Sequence, residues 1–288
     1  MKLLRWSRFY FTISGLLILI AIISLAVHGV RPSIDFVGGS LLEVSVEEDV
    51  VLETTQVRDL LSDVYTTSVV QSSGASRYII KGGAIDNDSK NMVLGQLQQE
   101  YGTVEELRFE TIGPALSREL LQKTLTAVVI VAFFILGYIA RQFKNWHFGI
   151  SAVVAMLHDA VLLIGAFSIF GWLFGAEVDV LFVTALLTTL AFSVHDTIVV
   201  YDRIRELRQR HPKSSWQQVC DTAVTETLTR SFNNSMTTIL MLASLSLLGG
   251  ESIRWFAVAL LIGVVVGTYS SPFLAVPLLY KWQTWKRQ

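Results

Sequence analysis

Long apolar runs alternate with short cation-rich segments along most of this chain, and residues 29–118 break that pattern. A run of about 19 apolar or small residues starts at Phe9, behind Lys2, Arg5 and Arg8. Crossing a bilayer takes ~20 residues, so residues 1–28 predict a short N-terminus and a first span. Ser24-Leu25-Ala26 also resembles a signal-peptide cleavage site. A signal h-region is only ~7–15 residues long, and Trp6, Phe9, Tyr10 and Phe11 form an interfacial aromatic belt. A retained span is therefore the preferred reading. Five further runs follow at 120–139, 148–172, 180–201, 227–248 and 255–280.

The segments between these runs assign their sides. Arg141 and Lys144 follow the second run. Arg203, Arg205, Arg208, Arg210 and Lys213 follow the fourth, and Lys281, Lys286 and Arg287 follow the sixth. Six spans put every cation cluster on one side, as the positive-inside rule requires. Both termini and a loop over about 202–226 are then cytoplasmic. Glu177 and Asp179 lie on the outer side, and Gly249-Gly250-Glu251-Ser252 turns the chain between the last two spans. In the sixth, Gly263, Gly267 and Ser271 are spaced for close helix packing, and Pro272 and Pro277 predict a kink.

Residues 29–118 read as a small α+β domain. The segments 41–46, 67–71, 78–81 and 104–111 suit strands, with a hairpin at Ser73-Gly74. Residues 54–65 suit a helix with Val57, Leu60, Leu61 and Val64 on one face. Residues 87–101 suit a second, capped by Asp86 or Asn87 and closed by Gly102. The order βαββαβ is the split pattern of ferredoxin-like domains. After it, Ser117 or Thr111 could cap the next helix and Pro114 suits a turn or a first helical position. The expected architecture is a six-span helical membrane protein (119–288 holding spans two to six) with one extracytoplasmic ferredoxin-like domain.

Composition sharpens this picture. The chain of 288 residues is 52% hydrophobic and 16% charged, with mean hydropathy +0.50. A soluble domain carries about 25% charged residues. A net charge of -1 hides a division, because residues 29–118 hold 14 acids and 7 cations. A single cysteine, Cys220, excludes an intrachain disulfide and a Cys-based metal site, and reads as inert packing in a loop segment. The Gly-Gly sequences lack the phosphate-loop pattern and its Lys, so nucleotide hydrolysis by that route is not expected. Nothing marks a nucleic-acid site or a cofactor, and protons are the expected coupling ion.

The candidate chemistry lies inside the apolar runs. Asp196 interrupts the fourth, roughly 9 Å from the cytoplasmic end at ~1.5 Å per residue. A carboxylate at that depth costs roughly 2.5–3.5 kcal/mol on insertion scales and usually marks an ion or proton path. Thr189, Ser193 and Asp196 or Thr197 share one helix face. His195 is adjacent but points ~100° away; it either tunes Asp196 or bonds a neighbouring helix. Arg230, Asn234 and Thr237 make a second polar face on the fifth span, though Arg230 could equally snorkel to the interface. His158 and Asp159 form a second pair at similar depth. Because adjacent residues diverge around a helix and no helix-spaced ligand set is present, a hydrogen bond across helices is expected there and a divalent-metal site is not. The cytoplasmic cations could also touch anionic lipid or a partner.

Several of these stretches resemble SecF, the small membrane subunit of the SecDF complex of bacterial protein translocation, in the resistance-nodulation-division superfamily. They are Ile34-Asp35-Phe36-Val37-Gly38-Gly39, TIGPALSREL, MLHDAVLLIG, SVHDTIVVYDRIRE and ETLTRSFNNSMTTIL, in the family's order over essentially the whole chain. The resemblance implies that the proton motive force is used to draw preproteins outward after SecYEG and its ATPase have inserted them. It implies a bacterial inner-membrane location, a SecD-like partner with the same membrane motifs, and YajC and YidC as further partners. It places Asp196 and Arg230 on the proton path, with His195, Asn234, Thr237, Ser193, His158 and Asp159 as possible neighbours. It makes Phe36, Gly38 and Gly39 a coupling motif, with a glycine-permitted turn as its physical content. The family commonly has Asn where His195 stands, so a titrating group is expected to alter pH dependence if it joins the path. Two other function classes fit less well: a half-size export pump for lipids or small molecules, and a passive scaffold of the channel.

Overall fold

The computed structural model describes residues 3–47, 52–72, 76–143 and 145–285. Lys2, the Ser73-Gly74 hairpin tip, Lys144, Lys286 and Arg287 lie outside the described residues. The chain forms two compact units, residues 32–126 and the remainder.

The larger unit is helical. It contains α1 (Ser7–His28), most of α5 (Pro114–Gln142), α6 (Trp146–Phe174), α7 (Val180–Arg210), α8 (Trp216–Leu248), α9 (Glu251–Ser270) and α10 (Val276–Trp285). Among the described residues, five helical stretches are long and apolar enough to cross a membrane: Leu3–His28, Pro114–Gln142, Trp146–Phe174, Val180–Arg210 and Ile253–Thr284. The chain is thus a multi-pass membrane protein. The α8 helix, expected as the fifth span, is long enough but not among the five, because Arg230, Asn233, Asn234, Thr237 and Thr238 dilute its apolar run.

Small residues set the closest helix contacts. A Cβ on Gly263 would sit 2.1 Å from Thr189 Oγ1, and one on Gly267 would sit 3.4 Å from Ser193 Cα. The expected small-residue face of α9 therefore packs on α7. Without a hydrophobic driving force inside lipid, such close approach is what dispersion needs to hold two helices together. Gly165 meets Ala21 the same way, so α1 lies against α6, where Ser24 and Ser168 share a hydrogen bond at 2.8 Å. By contrast α5 leaves Val129, Phe133 and Phe134 exposed, a surface suited to lipid or a partner. Pro272 falls inside a π-helical turn over Ser271–Ala275 that interrupts the regular helix of the last span, while Pro277 sits in the first turn of the regular helix that resumes after it. Tyr201 of α7 supports that turn by donating to the Ala275 carbonyl at 2.9 Å, since the widened turn frees a carbonyl for an outside partner.

Two expectations about this unit are corrected. The cytoplasmic loop drawn over 202–226 is mostly helix: α7 continues to Arg210, α8 starts at Trp216, and residues 211–215 make the connection. Charge there reads as loop, yet it stabilises a solvated helix. Arg203 pairs with Glu206 and Glu226, Arg205 with Asp202, and Arg210 with Glu206. A capping box of Ser215 and Gln218 starts α8. Cys220 consequently lies in a buried helix face rather than a loop.

The smaller unit runs β1 (Gly39–Ser45), α3 (Thr54–Leu61), β2 (Thr67–Ser72), β3 (Arg77–Gly82), α4 (Asn87–Tyr101) and β4 (Glu105–Ile112), after a single helical turn α2 (Ile34–Val37). The four strands form one antiparallel sheet in the order β2-β3-β1-β4. Leu42 and Val44 of β1 and Ile80 of β3 are buried with Val57, Leu61, Val93 and Leu97 of the two helices. The α4 bounds are those expected. Asp86 accepts from Ser89 N–H at 2.9 Å, which holds its carboxyl below the usual range, and Gly102 closes the helix at φ 80. The first helix stops four residues short of the expected Tyr65. The chain turns after Leu61 so that Tyr65 enters the core, where its hydroxyl donates to Ser40 O at 3.0 Å.

Candidate functional site

The buried polar groups of the helical unit gather around two carboxylates. Asp196 is 9% exposed on α7. Its Oδ1 accepts from Ser231 Oγ of α8 at 2.6 Å, while Oδ2 is buried with no hydrogen-bond partner. The Ser271 hydroxyl faces the same carboxylate but shares a hydrogen bond with Thr197 at 2.9 Å. No ion pair to Asp196 occurs among the described residues, so an ionised carboxylate would keep one oxygen uncompensated in a dry setting. Such a group is costly charged and inexpensive neutral.

Asp159 of α6 is fully buried and saturated with donors. Ser193 of α7 donates to its Oδ2 at 2.5 Å and Ser270 of α9 donates to the same oxygen at 2.6 Å. His158 Nδ1 bonds Oδ1 at 2.9 Å, and His158 Nε2 is buried without a partner. The hydrogen bond across helices is therefore present. The expected divergence of neighbouring side chains is overturned here, because both chains are flexible enough to close a ~100° separation. It does hold one helix over: His195 is exposed and lines a groove of about 370 Å³ with Val131, Phe134, Ile135, Tyr138 and Ile198, away from Ser231.

The second expected face behaves differently. Arg230, Asn234 and Thr237 do share one side of α8, but all three are exposed. Thr237 donates only to the carbonyl of Asn234, at 2.8 Å. The buried side of α8 carries Ser231 and Ser235 instead, and Ser235 accepts from Thr268 of α9 at 2.6 Å. The structure thus brings Asp196 to Ser231 and Ser193 to Asp159. Among the described residues Arg230, Asn234, Thr237 and His195 make no hydrogen bond or ion pair to either carboxylate, although His195 lies within electrostatic reach of Asp196. Ser231, Ser270 and Tyr201 were missed. Single hydroxyls in apolar helices carry little signal, and Ser271 reads from its spacing as packing alone. Among the described residues no three His, Cys, Asp or Glu side chains converge as a metal site would require.

The motif after α1 is conformational. Ser33 caps α2 through Asp35 N–H at 3.2 Å, and Phe36 is half-buried. Gly38 has φ 79 and Gly39 has φ 136. A Cβ on Gly39 would lie 2.5 Å from the Gly82 carbonyl oxygen, so only glycine lets β1 begin there against β3 and β4.

Comparison with known proteins now bears on these residues. Residues 93–285 match the family described as protein export membrane protein SecD/SecF, C-terminal, and residues 23–50 match the SecD/SecF GG motif. The protein translocase subunit SecF of Thermobaculum terrenum is 41% identical, over 98% of this chain and 93% of its own length. That of Anaerolinea thermophila is 37% identical, over 96% and 92%. The chain belongs to the SecF family. The crystal structure of SecDF from Thermus thermophilus, titled a translocon-associated membrane protein, aligns with a TM-score of 0.86 at 29% identity. The match covers 99% of this SecF-family chain and 39% of that SecDF chain. A second SecDF structure, in a super-membrane-facing form, aligns with a TM-score of 0.72. The glycines that force the turn before β1 fall inside the matched GG motif, and both buried carboxylates fall inside the C-terminal family match. The work of this chain is that of a SecF-type subunit in protein translocation.

Proposed function

We propose that this SecF-type subunit couples the proton motive force to preprotein export, with Asp196 as its proton-carrying group. The carrying observation is the buried carboxylate with one hydroxyl donor and one unpartnered oxygen. Taking up a proton there removes a charge from a low-dielectric setting, so occupancy responds to proton supply on either side. A gradient's electrical part supplies ~2.3 kcal/mol per charge per 100 mV, comparable to the cost of burying one carboxylate.

In this reading α8 is the fifth of six spans, both termini are cytoplasmic, and the membrane is the bacterial inner membrane. The sheet unit is the extracytoplasmic, ferredoxin-like domain, consistent with the order β2-β3-β1-β4. The exposed face of Arg230, Asn234 and Thr237 is completed by a SecD-like partner, the larger part of a SecDF assembly that this chain alone does not cover. Arg230 then stands where a cation is free to meet a partner's groups rather than Asp196 of its own chain. SecYEG and the preprotein are the further partners, with YajC and YidC, and no enzyme chemistry or cofactor is involved.

The test is preprotein export in vesicles carrying the channel, its ATPase and the SecDF-type complex, with and without an imposed proton gradient. Asp196→Asn and Arg230→Ala should abolish the gradient-stimulated part while the complex still co-purifies. A passive scaffold would keep that part in both variants, and that outcome would overturn the reading.

A further inference from the structure

Four hydroxyls and Asp159 form two bridges that bracket Asp196, one turn before it and one residue after it. On the first, Ser193 of α7 donates to Asp159 Oδ2, and the same oxygen accepts from Ser270 of α9. On the second, Thr197 of α7 shares a hydrogen bond with Ser271, the residue after Ser270 and the first of the π-helical turn. Residues 193 and 197 are both within about one turn of Asp196. They are thus tied to consecutive serines at the point where the last span loses its regular hydrogen bonding. Asp159 is the one member of this set that comes from a third helix, α6.

We infer that Asp159 is a positioning residue for Asp196, holding α7 in the rotation and height at which Asp196 meets Ser231; this rests on the reading of Asp196 as a proton carrier. A bundle that needed only adhesion would not require a fully buried carboxylate. Close glycine packing already joins α7 to α9, and a single interhelical hydrogen bond adds little adhesion in membranes. A carboxylate offers two acceptor oxygens at this place, more than a hydroxyl can. One oxygen accepts from two different helices at once while the other holds His158. The ionisable group facing Asp159 on its own helix is His158. On the packed elements the nearest in sequence to its partners are His195 and Asp196 of α7 and Tyr269 of α9. Two hydroxyls and the His158 ring face the carboxylate.

The test reads Asp196 itself. Dicyclohexylcarbodiimide modifies protonated intramembrane carboxyls, and peptide mass spectrometry separates Asp196 from Asp159, which lie on different helices. The co-purified complex in lipid vesicles is labelled across a pH series. Asp159→Asn should move the pH midpoint of Asp196 labelling by one unit or more, a tenfold change in proton concentration. The double variant Ser193→Ala with Ser270→Ala, which keeps Asp159, should move it as well. A merely adhesive role lowers the yield of complex and leaves the midpoint of the recovered complex in place, which would overturn the inference. A shift in Asp159→Asn with none in the double serine variant would also overturn it, because the charge alone would then be acting. If Asp159→Asn does not assemble, the serine variants decide. If wild-type Asp196 shows no titrating labelling, the proton-carrier reading fails instead.

Discussion

Two helices of the membrane unit carry polar faces with the same spacing, and they end in opposite places. On α7 the face of Thr189, Ser193, Asp196 and Thr197 is buried, and Ser193, Asp196 and Thr197 are bonded to α6, α8 and the turn after α9. On α8 the face of Arg230, Asn234 and Thr237 is exposed. Beyond the more diluted apolar run of α8, the difference lies in what stands opposite. Gly263 and Gly267 of α9 allow α7 to be approached closely, so its polar groups find partners within the chain. Nothing in the described residues covers the α8 face. One face is finished by this chain; the other is the one proposed above to be completed by a SecD-like partner, and the chain matches 39% of a SecDF polypeptide.

That contrast can be broken most severely at Gly263. Gly263→Val would drive a side chain into Thr189, whose Oγ1 lies 2.1 Å from the new Cβ. Overpacking costs about 1–3 kcal/mol or more, and thermal unfolding of the purified subunit should show a lower midpoint with loss of gradient-dependent export. Ser231→Ala comes next. It removes the one hydroxyl donating to Asp196 Oδ1. Hydrogen bonds to charged groups contribute about 1.5–3 kcal/mol, so carbodiimide labelling of Asp196 should extend to higher pH as the neutral form gains ground. A milder effect is expected from Asn234→Ala with Thr237→Ala. Surface changes usually fall within about 0.5 kcal/mol, so the unfolding midpoint of the isolated subunit should not move, whereas co-purification of the SecD-like partner should weaken. If instead the subunit itself unfolds earlier, the α8 face is structural and the contrast fails. The smallest effect belongs to His195→Asn. Its ring lines an apolar groove rather than the Asp196 pocket, so the profile of export activity against pH should keep its shape.

Much of this architecture was legible because single-residue signals agreed with apolar periodicity. Asp86 and Gly102 bound α4 on both sides, and Pro272 marks the turn where the last span loses its regular helix. The helix expected to reach Tyr65 stopped early because the sheet core needed that ring, a demand from residues distant in sequence such as Ser40. The charged continuation of α7 past Asp202 reads as loop, because charge density says "solvated" without saying "unstructured". At the site, depth and residue type picked out Asp196, and spacing grouped Arg230 with Asn234 and Thr237. Spacing gives a face but not its direction, so it could not reveal that Ser231, one residue from Arg230, is the side chain that reaches Asp196. Nor could it show Ser193 bonded to Asp159 rather than serving Asp196.

The most direct measurement of the central claim is proton entry itself, in vesicles holding the SecDF-type complex and a trapped pH indicator under an imposed gradient. With wild-type chain in vesicles that enclose the cytoplasmic face together with the ATPase and preprotein, the interior should acidify during preprotein export. With Asp196→Asn, the complex being intact, acidification should fall to that of vesicles without the complex. Acidification by the Asp196→Asn complex at the wild-type rate would contradict the assignment of Asp196 as the proton-carrying group.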